Sequence, residues 1–201
     1  MPSFLMLHSV GEEIVDPECP NNTIRPGELK ELMLSLRKDS YTFKTFKELN
    51  CPATCFVTNR GNPAFPKERW SHEDPIPVGA HFLTAEMLRE MDASGLVEFG
   101  GHTASHTTLT NISLEEARQE IKDNKRWIEE TLGHGIVSFC YPRGEENDEI
   151  VEIVKAAGYR YGAAMKKKMR SVETDLFRIH RQIIPRGMET WKSALLAKRG
   201  R

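Results

Sequence analysis

Apolar residues fall along this chain in short continuous runs, separated by longer stretches with helical spacing. Residues 4–7, 52–58, 95–99, 136–141, 159–165 and 177–184 read as strands. Runs that are apolar at every position suit strands covered on both faces. Helices are expected between them. Pro26 opens one through about Arg37, with Leu29, Leu32, Met33 and Leu36 on one face. Residues 41–49 form another, with Phe43, Phe46 and Leu49 inward. Thr84 caps a third, with Met87, Leu88 and Met91 inward, and Gly95 lies beyond its end. Ser113-Leu114-Glu115-Glu116 is a capping box. It opens a helix with Leu114, Ala117, Ile121, Ile128 and Leu132 at helical spacing, which stops at Gly133. Asn147 caps a fifth, with Ile150, Val151, Val154 and Ala157 inward and Gly158 as its stop, and residues 189–198 form a last one.

Strands alternating with helices imply a parallel sheet covered by helices. Six or more such units suit a closed or nearly closed (β/α) barrel better than an open doubly wound sheet, for which there is no G-x-G-x-x-G. The loops are uneven. Residues 11–25 form an acidic surface loop. Residues 59–82 form a long proline-bearing loop around Trp70, the kind of segment that serves as a lid or groove wall.

Length and composition narrow the class. The 201 residues suit one domain with its own core; hydrophobic content is 39%, charged content 28% and net charge −1. No basic excess suggests nucleic acid, and Lys166-Lys167-Lys168 reads as a solvated loop. No stretch suits a membrane span, and the first residues lack a basic leader with a cleavage site, so the sequence as given reads as cytoplasmic. Cys19, Cys51, Cys55 and Cys140 show no C-x-x-C spacing, and Cys55 and Cys140 read as buried free thiols.

The chemistry gathers in Phe99-Gly100-Gly101-His102-Thr103-Ala104-Ser105-His106. Two histidines stand four residues apart at the carboxyl end of a strand, where sites on α/β folds collect. A helical turn there would put both imidazoles on one face, able to hold one divalent metal with positions left for a third ligand and water. The bland alternative is a pair of surface or capping histidines. His8, at the end of the first strand, reads as a hydrogen-bonded or core histidine. His72 and His81 read as exposed and His134 as structural. Trp127 lies on the polar-leaning side of its helix and receives no role.

Several motifs occur in one order: Cys51-Pro52-Ala53-Thr54-Cys55-Phe56-Val57, Leu83 to Glu90, Gly95 to His106, Phe139-Cys140-Tyr141-Pro142-Arg143-Gly144, and Ala157-Gly158-Tyr159. Together they closely resemble the polysaccharide deacetylases, the NodB-homology carbohydrate esterases, over about residues 41–184. The opening Leu5-Met6-Leu7-His8-Ser9-Val10 is similar to that family's first strand. The resemblance implies a distorted (β/α) barrel that removes acetyl groups from N-acetylated or, less often, O-acetylated sugars. It implies His102 and His106 as ligands of a divalent metal, zinc first with cobalt or nickel as alternatives. It implies that the turn Tyr141-Pro142-Arg143-Gly144 lines the groove, with a backbone N–H on the oxyanion. Trp70 would stack on a sugar ring or pack its own loop. The carbohydrate is the implied partner; the sequence names neither the sugar nor the oligomeric state.

The family takes its base and third metal ligand from two adjacent aspartates on a strand before the 41–49 helix, and no Asp-Asp occurs in this sequence. Asp39, in the short join Lys38-Asp39-Ser40, is the nearest carboxylate, and a strand is missing near 37–41. Either the strand is lost, leaving a crippled or metal-only domain, or a segment is absent from the sequence. Loss of a central strand should wreck the sheet, which favours the second. The arginine that tethers the base in many members aligns with Cys140. His180 is the nearest candidate for the late catalytic histidine, with a residue alternating out of a strand as its bland reading. Two rival functions stand beside deacetylation: a non-catalytic member that binds sugar or a partner, and a hydrolase of another non-peptide amide.

Overall fold

The computed structural model describes residues 5–6, 9–10, 23–24, 53–72, 82–95, 97–165 and 175–183. In chain order the strands are β1 (Leu5–Met6), β2 (Ser9–Val10), β3 (Thr23–Ile24), β4 (Ala53–Val57), β5 (Val97–Gly101), β6 (Ser138–Cys140), β7 (Tyr161–Ala164), β8 (Ile179–His180) and β9 (Gln182–Ile183). The helices are α1 (Ala85–Ala93), α2 (Leu114–Leu132) and α3 (Asp148–Ala156). Contacts divide the chain into two compact units, residues 1–45, 76–80 and 181–201, and residues 46–75 and 81–180. In the first, β1 runs parallel to β9 and β2 parallel to β3. The expected helices at 26–37, 41–49 and 189–198, with the join at 37–41, lie outside the described residues.

The second unit is a parallel sheet in the order β4-β5-β6-β7-β8, with helices in the connections. This is the α/β arrangement expected from the alternation of runs. β4 and β5 are in register from Ala53 opposite Val97 to Val57 opposite Gly101. Each helix starts where its side chains satisfy the first N–H groups. Thr84 accepts from the Met87 N–H, Ser113 and Glu116 close a reciprocal capping box, and Asn147 accepts from the Ile150 N–H. Gly133 ends α2 in the left-handed region at φ 79°. The core joins Leu88 of α1, Ile121 and Ile128 of α2 and Val154 of α3 to Phe99 and Phe139 of the sheet. Each such side chain contributes roughly 1.5–3 kcal/mol on burial. Cys55 and Cys140 are free thiols; Cys140 is buried, as expected, whereas Cys55 is only half-buried. No helix among the described residues is long and apolar enough to cross a membrane.

Four expectations are corrected. Met87 is 47% exposed rather than inward. Leu88 takes the inward direction, and Met87 lies about 100° round the helix from it. Trp127 packs partly buried against the core rather than on a polar face. The 11–25 loop contains β3, whose Thr23 pairs with Ser9. Residues 177–184 are not one strand: Ile179 pairs with Ala163 of β7, whereas Gln182 pairs with Leu5 of β1, so the ladder changes partner at Arg181.

Candidate functional site

β5 ends in Gly100 and Gly101, and both are glycine for lack of room. A Cβ on Gly100 would lie 2.6 Å from the Phe56 ring and the Ser138 Oγ. One on Gly101 would collide with the Tyr159 hydroxyl and lie 2.8 Å from Asn124 Oδ1. The chain therefore leaves the sheet through a channel only backbone can occupy, and His102 follows at once.

The expected helical turn does not form. Thr103 has φ 65° and His106 φ 68°, left-handed values that interrupt a right-handed helix. The histidines still meet, because the two reversals fold the segment back on itself. His106 Nε2 lies 3.1 Å from His102 Nε2, with the rings edge to face. His102 Nδ1 is 2.6 Å from the carbonyl oxygen of Cys140. A carbonyl only accepts, so Nδ1 carries the proton and the neutral ring turns its Nε2 lone pair toward His106.

This arrangement fits a divalent ion. A tautomer fixed by a carbonyl behind the ring is the usual support of a ligating histidine. Two nitrogens 3.1 Å apart can each lie about 2.1 Å from one ion. Among the described residues no third His, Cys, Asp or Glu completes a group. Asp39 lies outside the described residues. His180 sits in β8 opposite Ala164, and its side chain lies outside them too.

The turn after β6 is only partly turned outward. Tyr141, Pro142 and Gly144 are buried and Arg143 is exposed. The Tyr141 N–H donates to the Ala163 carbonyl and the Gly144 N–H to the Tyr141 carbonyl. Burial holds the Tyr141 phenol well above its usual range, with Glu146 adding to the effect. Arg143 takes φ 56°, a third left-handed non-glycine residue beside the site. Such conformations are stored where the surroundings impose them. Trp70 packs edge-on against Phe82, with centroids 5.4 Å apart, and the Arg60 guanidinium lies 5.9 Å from its ring. Its ring is engaged within the loop. His72 is exposed, as expected, and His8 and His81 lie outside the described residues.

Three positioning side chains were not expected from the sequence. Asn124, fully buried in α2, accepts from the His102 N–H at 2.8 Å and donates to the Val57 carbonyl and Asn59 Oδ1. Glu120, one turn earlier, accepts from the Ser105 N–H and hydroxyl at 2.8 and 2.9 Å. Arg60 donates to the Ser105 carbonyl at 3.0 Å. The signal for Asn124 was present: it occupies a core slot in the series Ala117, Ile121, Ile128, where a polar residue needs a reason. A cleft of 1080 Å³ opens between α2 and α3, with floor residues such as Leu114 and Ile153; it shares no residue with the histidine segment.

The polysaccharide deacetylase family model matches residues 37–162. A poly-β-1,6-N-acetyl-D-glucosamine N-deacetylase of Staphylococcus epidermidis is 24% identical over 152 residues, 71% of this chain and 48% of that protein. The chain thus spans about half the length of the curated relative it matches. The Streptococcus pyogenes deacetylase PplD, solved with acetate, superposes with a TM-score of 0.69 at 20% identity, covering 98% of this chain and 97% of that one. A Bacillus cereus polysaccharide deacetylase gives 0.69 at 18% identity, covering 97% of this chain and 68% of that one. At such identities the superpositions speak for the fold alone, an α/β fold of the distorted barrel kind. The family model covers more than half the chain, carrying both histidines and the turn after β6, and the chain belongs to the polysaccharide deacetylase family.

Proposed function

We propose that this protein is a metal-dependent deacetylase of N-acetylated carbohydrate. The observation that carries the reading is the His102–His106 pair, with Nε2 atoms 3.1 Å apart and the His102 tautomer fixed from behind by Cys140. A bound divalent ion, zinc first and cobalt or nickel as alternatives, supplies Lewis acidity and a water of lowered pKa. His102 and His106 hold it. The exposed Arg143 offers its backbone N–H to the carbonyl oxygen of the acetamide as charge gathers there. Asp39 is the proposed base, and His180 the proposed acid toward the leaving amine. The name of the curated relative makes β-1,6-linked N-acetylglucosamine the first substrate to test.

A second reading, a catalytically impaired member that binds sugar or a partner, is favoured by one observation: no Asp-Asp occurs in the 201 residues. A single assay separates these readings. Acetate release is followed from β-1,6-linked and β-1,4-linked N-acetylglucosamine oligomers with added zinc, cobalt or nickel, for the protein and for His102→Ala. Release that His102→Ala abolishes supports the enzyme. Stoichiometric metal without acetate supports the second reading. Turnover of small formyl or ring amides, with none of the sugars, would move the chain to another non-peptide amide.

A further inference from the structure

We propose that Asn124 and Glu120 of α2 are positioning residues that hold His102 and His106 in metal-binding geometry; the inference rests on the metal reading above. Residues 102–106 contain two left-handed non-glycine residues, Thr103 and His106. Such backbone persists only where its surroundings over-determine it. Here the determinants are specific. The His102 N–H goes to Asn124 Oδ1, the Ala104 N–H to the Glu120 main-chain carbonyl, and the Ser105 N–H and hydroxyl to Glu120 Oε2. The His106 N–H goes to Thr103 Oγ1 inside the segment. Three of these four N–H groups therefore end on two residues one turn apart on a single helix. Both side chains are buried, and a buried amide or carboxylate is retained only where its partners are in place.

The two act on opposite ends of the segment. Asn124 also donates to the Val57 carbonyl, so it ties the end of β4 to the end of β5 and sets where His102 leaves the sheet. Glu120 fixes Ser105, the residue before His106. Its other oxygen meets Arg69 of the long loop at 3.4 Å, so the loop neutralises the carboxylate that holds the segment. Asp123, between them, is also buried, yet its carboxylate bonds Arg69, Gln119 and Arg126 and no residue of the segment. It is the natural control.

The test is cobalt(II) titration of the metal-free protein, read by its visible spectrum and by competition with a chelator, with thermal unfolding in parallel. Asn124→Ala and Glu120→Ala are expected to bind cobalt about 10–100-fold more weakly, the usual effect of losing an outer support, and with an altered spectrum. Glu120→Gln keeps one acceptor oxygen and is expected to restore most of the affinity. Asp123→Asn is expected to lose stability without losing cobalt. Should Asn124→Ala not fold, the Glu120→Ala and Glu120→Gln comparison decides. Folded variants that bind cobalt like the parent would overturn the inference, as would an equal loss in Asp123→Asn. A parent that binds no cobalt removes the metal reading and this inference with it.

Discussion

The imidazole of His102 is held through the backbone of Cys140, its Nδ1 lying 2.6 Å from that carbonyl oxygen. The thiol takes no part in this bond. Cys140→Ala should therefore leave cobalt or zinc affinity intact while lowering stability by about 1 kcal/mol, a central value for point substitutions. Isothermal titration and thermal unfolding measure the two. Loss of metal with retained folding would show that the side chain, not the carbonyl, supports the ring.

Gly101→Ala should be among the more damaging small changes in the chain. Its methyl would meet the Tyr159 hydroxyl and Asn124 Oδ1, both pinned in the core. Overpacking of this kind costs roughly 1–3 kcal/mol. Metal affinity should fall with it, because the displaced Asn124 oxygen is the acceptor for the His102 N–H. A lower melting temperature with unchanged affinity would separate the two effects and count against the link.

His134 links the ends of α1 and α2 through Asp92 at 3.0 Å. That bond, then the Gly135 carbonyl, raises its pKa above the ordinary histidine value. A raised folded pKa means the contribution is fully present below the unfolded value of about 6.5 and is lost as pH rises through the folded value. The pair is exposed, so the effect is small. An NMR titration should place the His134 midpoint above that of the unfolded chain, and Asp92→Asn should bring it down. An unchanged midpoint in Asp92→Asn would refute the assignment.

Ser113→Ala should cost about 1 kcal/mol by opening the capping box at the start of α2. The Ser113 hydroxyl, then its backbone N–H, lowers the Glu116 pKa. A folded pKa below the unfolded one gives stability that is present above the unfolded value and lost as pH falls through the folded one. The difference between parent and variant in urea unfolding should therefore shrink in acid. A difference that persists at low pH would mean that the hydroxyl alone carries the cap.

What was legible in the sequence was local. The Ser113 box, the Gly133 stop, and the Thr84 and Asn147 caps each act within four residues, and all are present. The spacing of His102 and His106 also pointed to a pair. The expected cause, a helical turn, was wrong, since left-handed backbone at Thr103 and His106 is decided by distant partners. Asn124 stands 22 residues from His102, a separation that no local spacing bridges, although its slot in the core series of α2 marked it as a polar residue with a role. The turn after β6 read as uniformly groove-lining because its burial depends on Ala163 and Met165, which only the fold brings near.

Glu120 and Asn124 also make α2 intolerant of changes in its own length. A residue inserted between Ser113 and Glu120 would advance both side chains by about 100° round the axis. Both polar groups would then leave the histidine segment together, while the apolar stripe could slide to a neighbouring ridge. Insertions and deletions should thus be accepted beyond Gly133, in the exposed turn at Gly133–Gly135, long before they are accepted within the first two turns of the helix.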